Sequence, residues 1–128
     1  MSLQKMIAAH PQVDDETEEL VLAARHAMLC ALFCTSCADA CSAEAMDMAQ
    51  CIRTCSDCAD VCTATARLAV RRTGQDIGVL RAQIEACILA CNTCADECGK
   101  HDDPHCAKCA EMCRETARDF QKCLDTVD

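Results

Sequence analysis

The sequence predicts an all-α protein, an antiparallel up-down-up-down four-helix bundle with a possible short N-terminal helix. Three observations predict it. Cysteine recurs in the spacing C-x3-C-x2-C-x3-C three times along the 128 residues. Helix start and stop signals bound four long segments that are joined by short connections. No stretch shows the alternating apolar and polar pattern of a strand.

The chain is short enough to form one domain, predicted over residues 14–128, with residues 1–13 as an N-terminal extension or short helix. Within the extension, residues 2–10 are expected to be helical up to Pro11. The bundle helices are expected at about 16–44, 48–72, 77–98 and 104–126. Their boundary signals are Asp14-Asp15, Asp47, Gly74, Asp76, Gly99 and the pair Asp103-Pro104. Because the connections are short, neighbouring helices should be antiparallel.

Cysteines occupy the core positions that Leu, Ile or Val fill in an ordinary bundle. Steps of 4, 3 and 4 residues place the side chains at about 0, 40, −20 and 20 degrees around a helix, which is one narrow stripe. Thiols behave as small hydrophobic groups and are often buried. The 16 positions are Cys30, Cys34, Cys37, Cys41, Cys51, Cys55, Cys58, Cys62, Cys87, Cys91, Cys94, Cys98, Cys106, Cys109, Cys113 and Cys123.

The predicted topology brings almost all of these thiols to one end of the bundle. They lie in the C-terminal halves of the first and third bundle helices and in the N-terminal halves of the second and fourth. The other end should be an apolar plug. Its expected members are Leu20, Leu22, Leu68, Val70, Leu80, Ile84 and Phe120.

Composition excludes several classes of function. Aromatic residues make up 2% of the chain and the net charge is −9, so a nucleic-acid partner is not expected. The N-terminus lacks the apolar core of a secretory signal, and no run reaches the length needed to span a bilayer, so a cytoplasmic protein without a membrane partner is predicted. No acid partner, oxyanion-hole motif or glycine-rich loop accompanies the thiols, so the chain is not expected to be an enzyme.

Dense cysteine in a reducing compartment indicates metal binding. Thiolate selects Cu(I), zinc or iron–sulfur clusters. One Cu(I) per thiolate leaves the interior neutral, whereas four tetrathiolate zinc sites would bury a charge of about −8, and burying even one ion costs on the order of 20 kcal/mol before relaxation. The spacing differs from that of ferredoxins, and zinc fingers usually take C-x2-C pairs from turns. Multiple Cu(I) ions per chain are therefore predicted.

The motifs resemble those of the cytosolic four-helix-bundle copper storage proteins over roughly residues 26–126. The resemblance is carried by the three repeats, the stretch from Cys51-Ile52-Arg53 to Cys62, and Cys98-Gly99-Lys100-His101-Asp102 leading to His105-Cys106. It implies Cu(I) stored on inward-facing cysteines, typically in homotetramers and without catalysis. Thr116 and Phe120 interrupt the cysteine pattern in the second half of the last helix, where similar relatives continue it.

Five histidine and methionine residues beyond the repeats are candidate ligands, one of them weaker than the rest. His101 and His105 flank the last connection, at the thiol end, where the resemblance supports ligands at an entrance. Met48 precedes Cys51 by three residues and shares its face, and a thioether is a soft neutral ligand. The nearby Met46 is a weaker candidate. His26 falls on the stripe of Cys30, at a depth similar to that of Cys123, so these two could form a deep site.

The predicted function is cytoplasmic storage and buffering of copper(I), with copper entering past Met48, His101 and His105. A copper chaperone is a candidate partner, and the resemblance predicts a homo-oligomer. Two alternatives stay open: a zinc or cadmium buffer, and a disulfide-stapled structural protein. The second is suggested by C-x9-C spacings at Cys41 to Cys51 and Cys113 to Cys123.

Overall fold

Helices account for nearly all of the chain that the structure, a computed structural model, describes, namely residues 2–13, 18–71 and 77–125. A short first helix precedes four long ones. These are α1 (Leu3–Ala8), α2 (Glu18–Ser42), α3 (Ala49–Arg71), α4 (Ile77–Cys98) and α5 (Pro104–Leu124). The all-α bundle predicted from the sequence is confirmed, and α2 ends two residues earlier than expected.

Polar side-chain hydrogen bonds mark the start of two of these helices, and a proline marks a third. The Ser2 hydroxyl accepts a hydrogen bond from the Lys5 amide at 3.1 Å and caps α1. Asp47 accepts from the Ala49 amide at 3.0 Å, before α3. Asp103 and Pro104 take the N-cap and first helical positions of α5, although the Asp103 side chain makes no capping bond. The boundary signals at Asp14-Asp15, Gly74 and Asp76 lie outside the described residues.

Sulfur contacts fix the relative direction of neighbouring helices. Along α3, Cys51, Cys58 and Cys62 meet Cys98, Cys91 and Cys87 in turn, so α4 runs in the opposite direction. Between α2 and α5, Cys30 meets Cys113 and Cys34 meets Cys109, in the same opposed order. These two pairs are therefore antiparallel, and the half helices that carry the 15 cysteines other than Cys123 lie at the same end.

The other end is apolar, as the sequence predicts, with one exception. Phe120, Leu80 and Ile84 are fully buried there, and Leu20 is buried beside them. Leu68 and Val70 pack against this cluster from its edge. Leu22 was expected in the plug, but that expectation is wrong: its side chain is 44% exposed, because its position on α2 faces away from the bundle axis.

Two helices are long and apolar enough to differ from the expectation that no segment could span a bilayer. By length and composition alone, α2 and α4 could each cross a membrane, with mean hydropathies of 1.6 and 1.2 over their most apolar windows. The expectation that no run is long enough is therefore wrong. Cysteine and alanine raise the hydropathy of both helices, and most of these residues lie in the bundle core, so helix length and hydropathy are weak evidence of a membrane span here.

We expect the apolar end to carry much of the stability of the metal-free fold. Replacing Phe120, which is fully buried, with alanine should lower the free energy of unfolding by about 3–5 kcal/mol, because it removes a large apolar side chain and leaves a cavity. Urea denaturation of the reduced, metal-free protein measures this. Leu89→Ala, at a side chain that is 68% exposed, is the control and should change the value by less than about 0.5 kcal/mol. Equal losses in the two variants would contradict the assignment.

Candidate metal centre

All 16 cysteines are buried and none is in a disulfide. The stripe geometry explains why: each repeat places four thiols on the single helix face that points at the bundle axis. Most have no solvent-exposed surface. They line an interior that large aliphatic side chains would otherwise have to fill. The absence of a Cys41 to Cys51 or Cys113 to Cys123 bridge disfavours the disulfide-stapled alternative.

The thiols form a continuous column. Neighbouring sulfur atoms lie 3.6–3.9 Å apart across helices, as in Cys62 to Cys91 at 3.6 Å and Cys34 to Cys94 at 3.9 Å. Two ligands bound to one metal at a metal–sulfur distance of about 2.3 Å lie about 3.8–4 Å apart in tetrahedral or trigonal geometry. The sulfur atoms therefore already have the spacing of a metal–thiolate site.

Several groups of four donor atoms are compact enough to hold one ion each, with all atoms within 4.8 Å of one another. The groups share members: Cys30, Cys34, Cys37, Cys58, Cys109 and Cys113 each belong to two of them. Since one sulfur atom then serves two ions, the column favours bridged clusters over isolated sites. Five of these groups are Cys30/Cys34/Cys58/Cys113, Cys30/Cys58/Cys62/Cys91, Cys34/Cys94/Cys109/Cys113, Cys37/Cys55/Cys98/Cys109 and Cys37/Cys41/His105/Cys106.

Cationic side chains are missing from the interior that the described residues form. Among the described residues, the buried polar side chains are Thr54, Thr65 and Thr116, and none is charged. Burial, with the neighbouring Cys41, raises the pKa of the Cys106 thiol to about 12, so this thiol holds its proton at neutral pH. A metal that binds this thiol must therefore displace its proton, and metal in a column without charged side chains in its described part must not leave excess charge behind. A monovalent ion that replaces one proton per thiolate meets both conditions.

Threonine and phenylalanine side chains close the column where it meets the apolar end of the bundle. Thr65 and Thr116 each lie three residues after the last cysteine of the column on their helix, and both are fully buried. Their hydroxyls donate to the backbone carbonyls of Val61 and Met112, at 2.7 and 2.9 Å. Together with Phe120 they separate the column from Cys123, as expected from the interruption in the sequence.

His105 is the predicted entrance residue that reaches the thiols. Its Nδ1 lies 3.3 Å from the sulfur of Cys37 and 3.5 Å from that of Cys106. Its Nε2 lies 3.1 Å from a carboxylate oxygen of Glu44. This ring adds a nitrogen donor to the thiols of Cys37, Cys41 and Cys106 at the end of the column.

The other predicted entrance residues divide into buried and exposed ones. Met48 is buried in the core cluster beside the cysteines, at 3% exposure. Met46 is 63% exposed, which agrees with its weaker candidacy. His101 is partly buried, and its Nε2 lies 3.3 Å from Glu97, four residues earlier, rather than against a thiol. Its role as a ligand stays a prediction.

His26 and Cys123 have a common neighbour, Asp119. The Nδ1 of His26 is hydrogen-bonded to Asp119 and lies 3.9 Å from Glu115. Burial, with the charges of Glu19 and Asp119, raises the pKa of the Cys123 thiol to about 12. The two predicted ligands therefore lie in one region below the column, and a shared metal between them stays a prediction.

Two carboxylates at the entrance were missed by the sequence analysis. Glu44 follows Cys41 by three residues, so it continues the cysteine stripe of α2, a signal that the spacing carried. Glu97 precedes His101 by four residues, the separation at which helical side chains meet. Carboxylates are not among the soft ligands that thiolate-binding metals select, so the pattern that predicts the other site residues does not include them.

Comparison with known proteins gives one family and several solved structures. The sequence profile of the family described as copper storage protein (Csp) matches residues 16–125. No curated protein matches the chain. A structure of the copper storage protein Ccsp from Streptomyces lividans, loaded with 10 copper equivalents, is 38% identical with a TM-score of 0.91 and covers 97% of this chain and 98% of its own.

Two further structures are of the same Streptomyces lividans protein. One concerns copper loading to a cytosolic copper storage protein, with five coppers, at 44% identity and a TM-score of 0.83, covering 85% of this chain and 94% of that one. The other is a variant of Ccsp in which two histidines four residues apart are replaced by alanine, at 44% identity and a TM-score of 0.82, covering 84% and 94%.

The raised pKa of Cys123 predicts a pH-dependent stability. In the folded chain the Cys123 thiol keeps its proton above about pH 8.5, whereas an unfolded thiol loses it there. Loss of the proton stabilises the unfolded chain, so the contribution of Cys123 to the free energy of unfolding falls as the pH rises from about 8.5 towards 12. Relative to Cys123→Ala, the metal-free wild type should lose about 1 kcal/mol between about pH 8 and about pH 9.5. Urea denaturation of both proteins under reducing conditions measures it. A difference that does not change with pH would contradict the raised pKa.

Proposed function

The chain belongs to the copper storage protein family, and we propose that it stores copper(I) in the cytosol on the buried thiols of its helical bundle. The observation that carries the proposal is the continuous sulfur column without a buried cation among the described residues. The solved relatives are described as copper-loaded and, in one case, as cytosolic. Sixteen cysteines with no disulfide among them are also typical of a reducing compartment.

Charge favours copper(I) over zinc in this column. Sulfur spacing suits either metal, because both bind thiolates at similar distances. A zinc ion on four thiolates carries a net charge of −2, which a low-dielectric interior accepts only beside compensating cations. Copper(I) shared among bridging thiolates needs none. The zinc or cadmium alternative is therefore less well supported by the structure.

We propose that all 16 cysteines are metal ligands and that loading begins at the end that carries His105. There the imidazole, Cys37, Cys41 and Cys106 form the mixed nitrogen and sulfur group. Met48, buried close by, is a proposed soft contact for the incoming ion. His101 and His105 are separated by four residues, as are the two histidines replaced in the Ccsp variant, which supports a role for both. His26 with Cys123 is the proposed deep site.

The family stores copper and is not one of enzymes, and we propose no catalytic role for this chain. A copper chaperone is the proposed donor, because Cu(I) is a soft ion that thiolate ligands on another protein can carry and exchange. Acidic side chains near the entrance, among them Glu44 and Glu97, favour a donor with a basic contact surface.

We further propose that the chain forms a homotetramer. One flank of α2 exposes large apolar side chains, with Leu32 65% exposed and Phe33 36% exposed. They continue into a groove of about 340 Å³ that reaches His105 and Lys108 on α5. A contiguous apolar patch of this kind is typical of an interface between subunits. The apolar side chains of this flank are Leu22, Leu29, Leu32 and Phe33.

Anaerobic titration of the reduced, metal-free protein with Cu(I), against a competing chelator, tests storage. Uptake should approach one ion for each of the 16 thiols, because each Cu(I) replaces one proton. Replacing Cys51, Cys55, Cys58 and Cys62 together with serine should lower the capacity by about a quarter, with helicity retained in circular dichroism. Saturation at a few ions would contradict storage. A parallel zinc titration that fills the protein more tightly than copper would favour the zinc buffer.

Sedimentation or light scattering tests the tetramer. Leu32→Asp should shift the protein to smaller species, because it places a charge in the apolar patch. Leu89→Asp is the matched control: this leucine is 68% exposed on α4, outside the flank of α2, and the variant should stay assembled. A monomeric wild type would contradict the proposal, and equal effects of the two variants would place the interface elsewhere.

A further inference from the structure

The two ring nitrogens of His105 face different partners. Nδ1 points at the thiols of Cys37 and Cys106, while Nε2 points at Glu44, which lies just beyond the end of α2. The Glu44 backbone is held there by a bond from its amide to the Cys41 carbonyl at 3.2 Å. One imidazole therefore bridges a carboxylate outside the column and the sulfur atoms inside it.

The carboxylate determines which nitrogen of the neutral ring carries the proton. An ionised glutamate can only accept hydrogen bonds, so the contact at 3.1 Å requires the N–H to be on Nε2. The lone pair is then on Nδ1, directed at Cys37 and Cys106, where a metal would bind. Carboxylate partners of this kind fix the tautomer and orientation of histidine ligands in metal sites.

We propose that Glu44 is a positioning residue for copper capture, which holds His105 in the Nε2–H tautomer so that Nδ1 completes a site with Cys37, Cys41 and Cys106. The inference rests on the proposed function, because it gives this site a role in loading. Glu44 acts through His105 and does not itself touch the metal. Its removal should therefore slow the first binding step and leave the final capacity unchanged.

The second histidine shows that the arrangement is specific to His105. His101 also contacts a carboxylate through Nε2, at 3.3 Å, but its partner Glu97 is also paired with Lys100 at 3.3 Å. Glu97 stands four residues before His101, whereas Glu44 reaches His105 from the connection after α2. Only the Glu44 contact joins the two sides of the entrance while directing a ring nitrogen at thiols, as far as the described contacts extend.

Nitrogen NMR of the ¹⁵N-histidine-labelled, metal-free protein tests the tautomer directly. In its neutral form, His105 should show a protonated Nε2 and an unprotonated Nδ1. In Glu44→Ala the two tautomers should become mixed. Glu111→Ala is the matched control, since it removes the same charge from an exposed position on α5. A wild-type His105 protonated on Nδ1 would overturn the proposal without any variant being needed.

Stopped-flow uptake from a Cu(I)–chelator complex supplies the second readout. Glu44→Ala should slow the first phase by about 10-fold, in the range found when the partner of a histidine ligand is removed. His105→Ala should slow it at least as much, and the double variant should be no slower than His105→Ala. Additive effects, or equal slowing in Glu111→Ala, would show that Glu44 acts through overall charge and would overturn the proposal.

Stopped-flow uptake also distinguishes failure of the proposed storage function from failure of the positioning role of Glu44. If the wild type binds no Cu(I), the proposed function fails whatever the tautomer of His105. If the wild type fills its thiols and Glu44→Ala fills them at the same rate, only the positioning role fails. The Glu44 side chain is one-third exposed, so the variant should fold, and circular dichroism checks this.

Discussion

The structure depends on one constraint: its interior must be apolar enough to fold when empty and must gain no net charge when filled. Neutral thiols meet the first requirement, because they pack as small hydrophobic side chains. A soft monovalent cation that replaces the thiol proton meets the second. Threonine is the sole type of buried polar side chain in the described core. No cationic side chain there would therefore balance an excess of negative charge. The absence of buried cations thus decides the metal more firmly than sulfur geometry does.

Division of the bundle into two ends follows from this constraint. Thiols contribute less apolar area than leucine or isoleucine, so a core built of cysteine alone would be weakly stabilised. Phe120, Leu80 and Ile84 supply the missing packing at the opposite end, where they do not compete with metal for space. Thr65 and Thr116 mark the boundary, and each satisfies its hydroxyl on its own helix. The metal-free fold can therefore persist while the column fills.

The entrance departs from the uniform chemistry of the column. It brings together His105, Glu44 and the first thiols, so it mixes nitrogen, carboxylate and sulfur within a few ångströms. A copper ion handed over by the proposed donor must exchange its previous ligands before it enters the buried column, and a partly polar site is suited to that exchange. The proposed single tautomer of His105 would favour it.

Much of this could be read from the sequence, because the helical period converts cysteine spacing directly into a buried stripe, and short connections place the stripes at one end. The column and the position of His105 at the thiol end follow from that arithmetic, whereas the family was indicated by the resemblance of the motifs. Sequence spacing describes one helix at a time, however, and it gives no distance between helices. The tertiary structure alone decided that Glu44 meets His105, that His26 meets Asp119, and that Leu22 faces outward. Each depends on the rotation of one helix against another, which packing of the whole core sets.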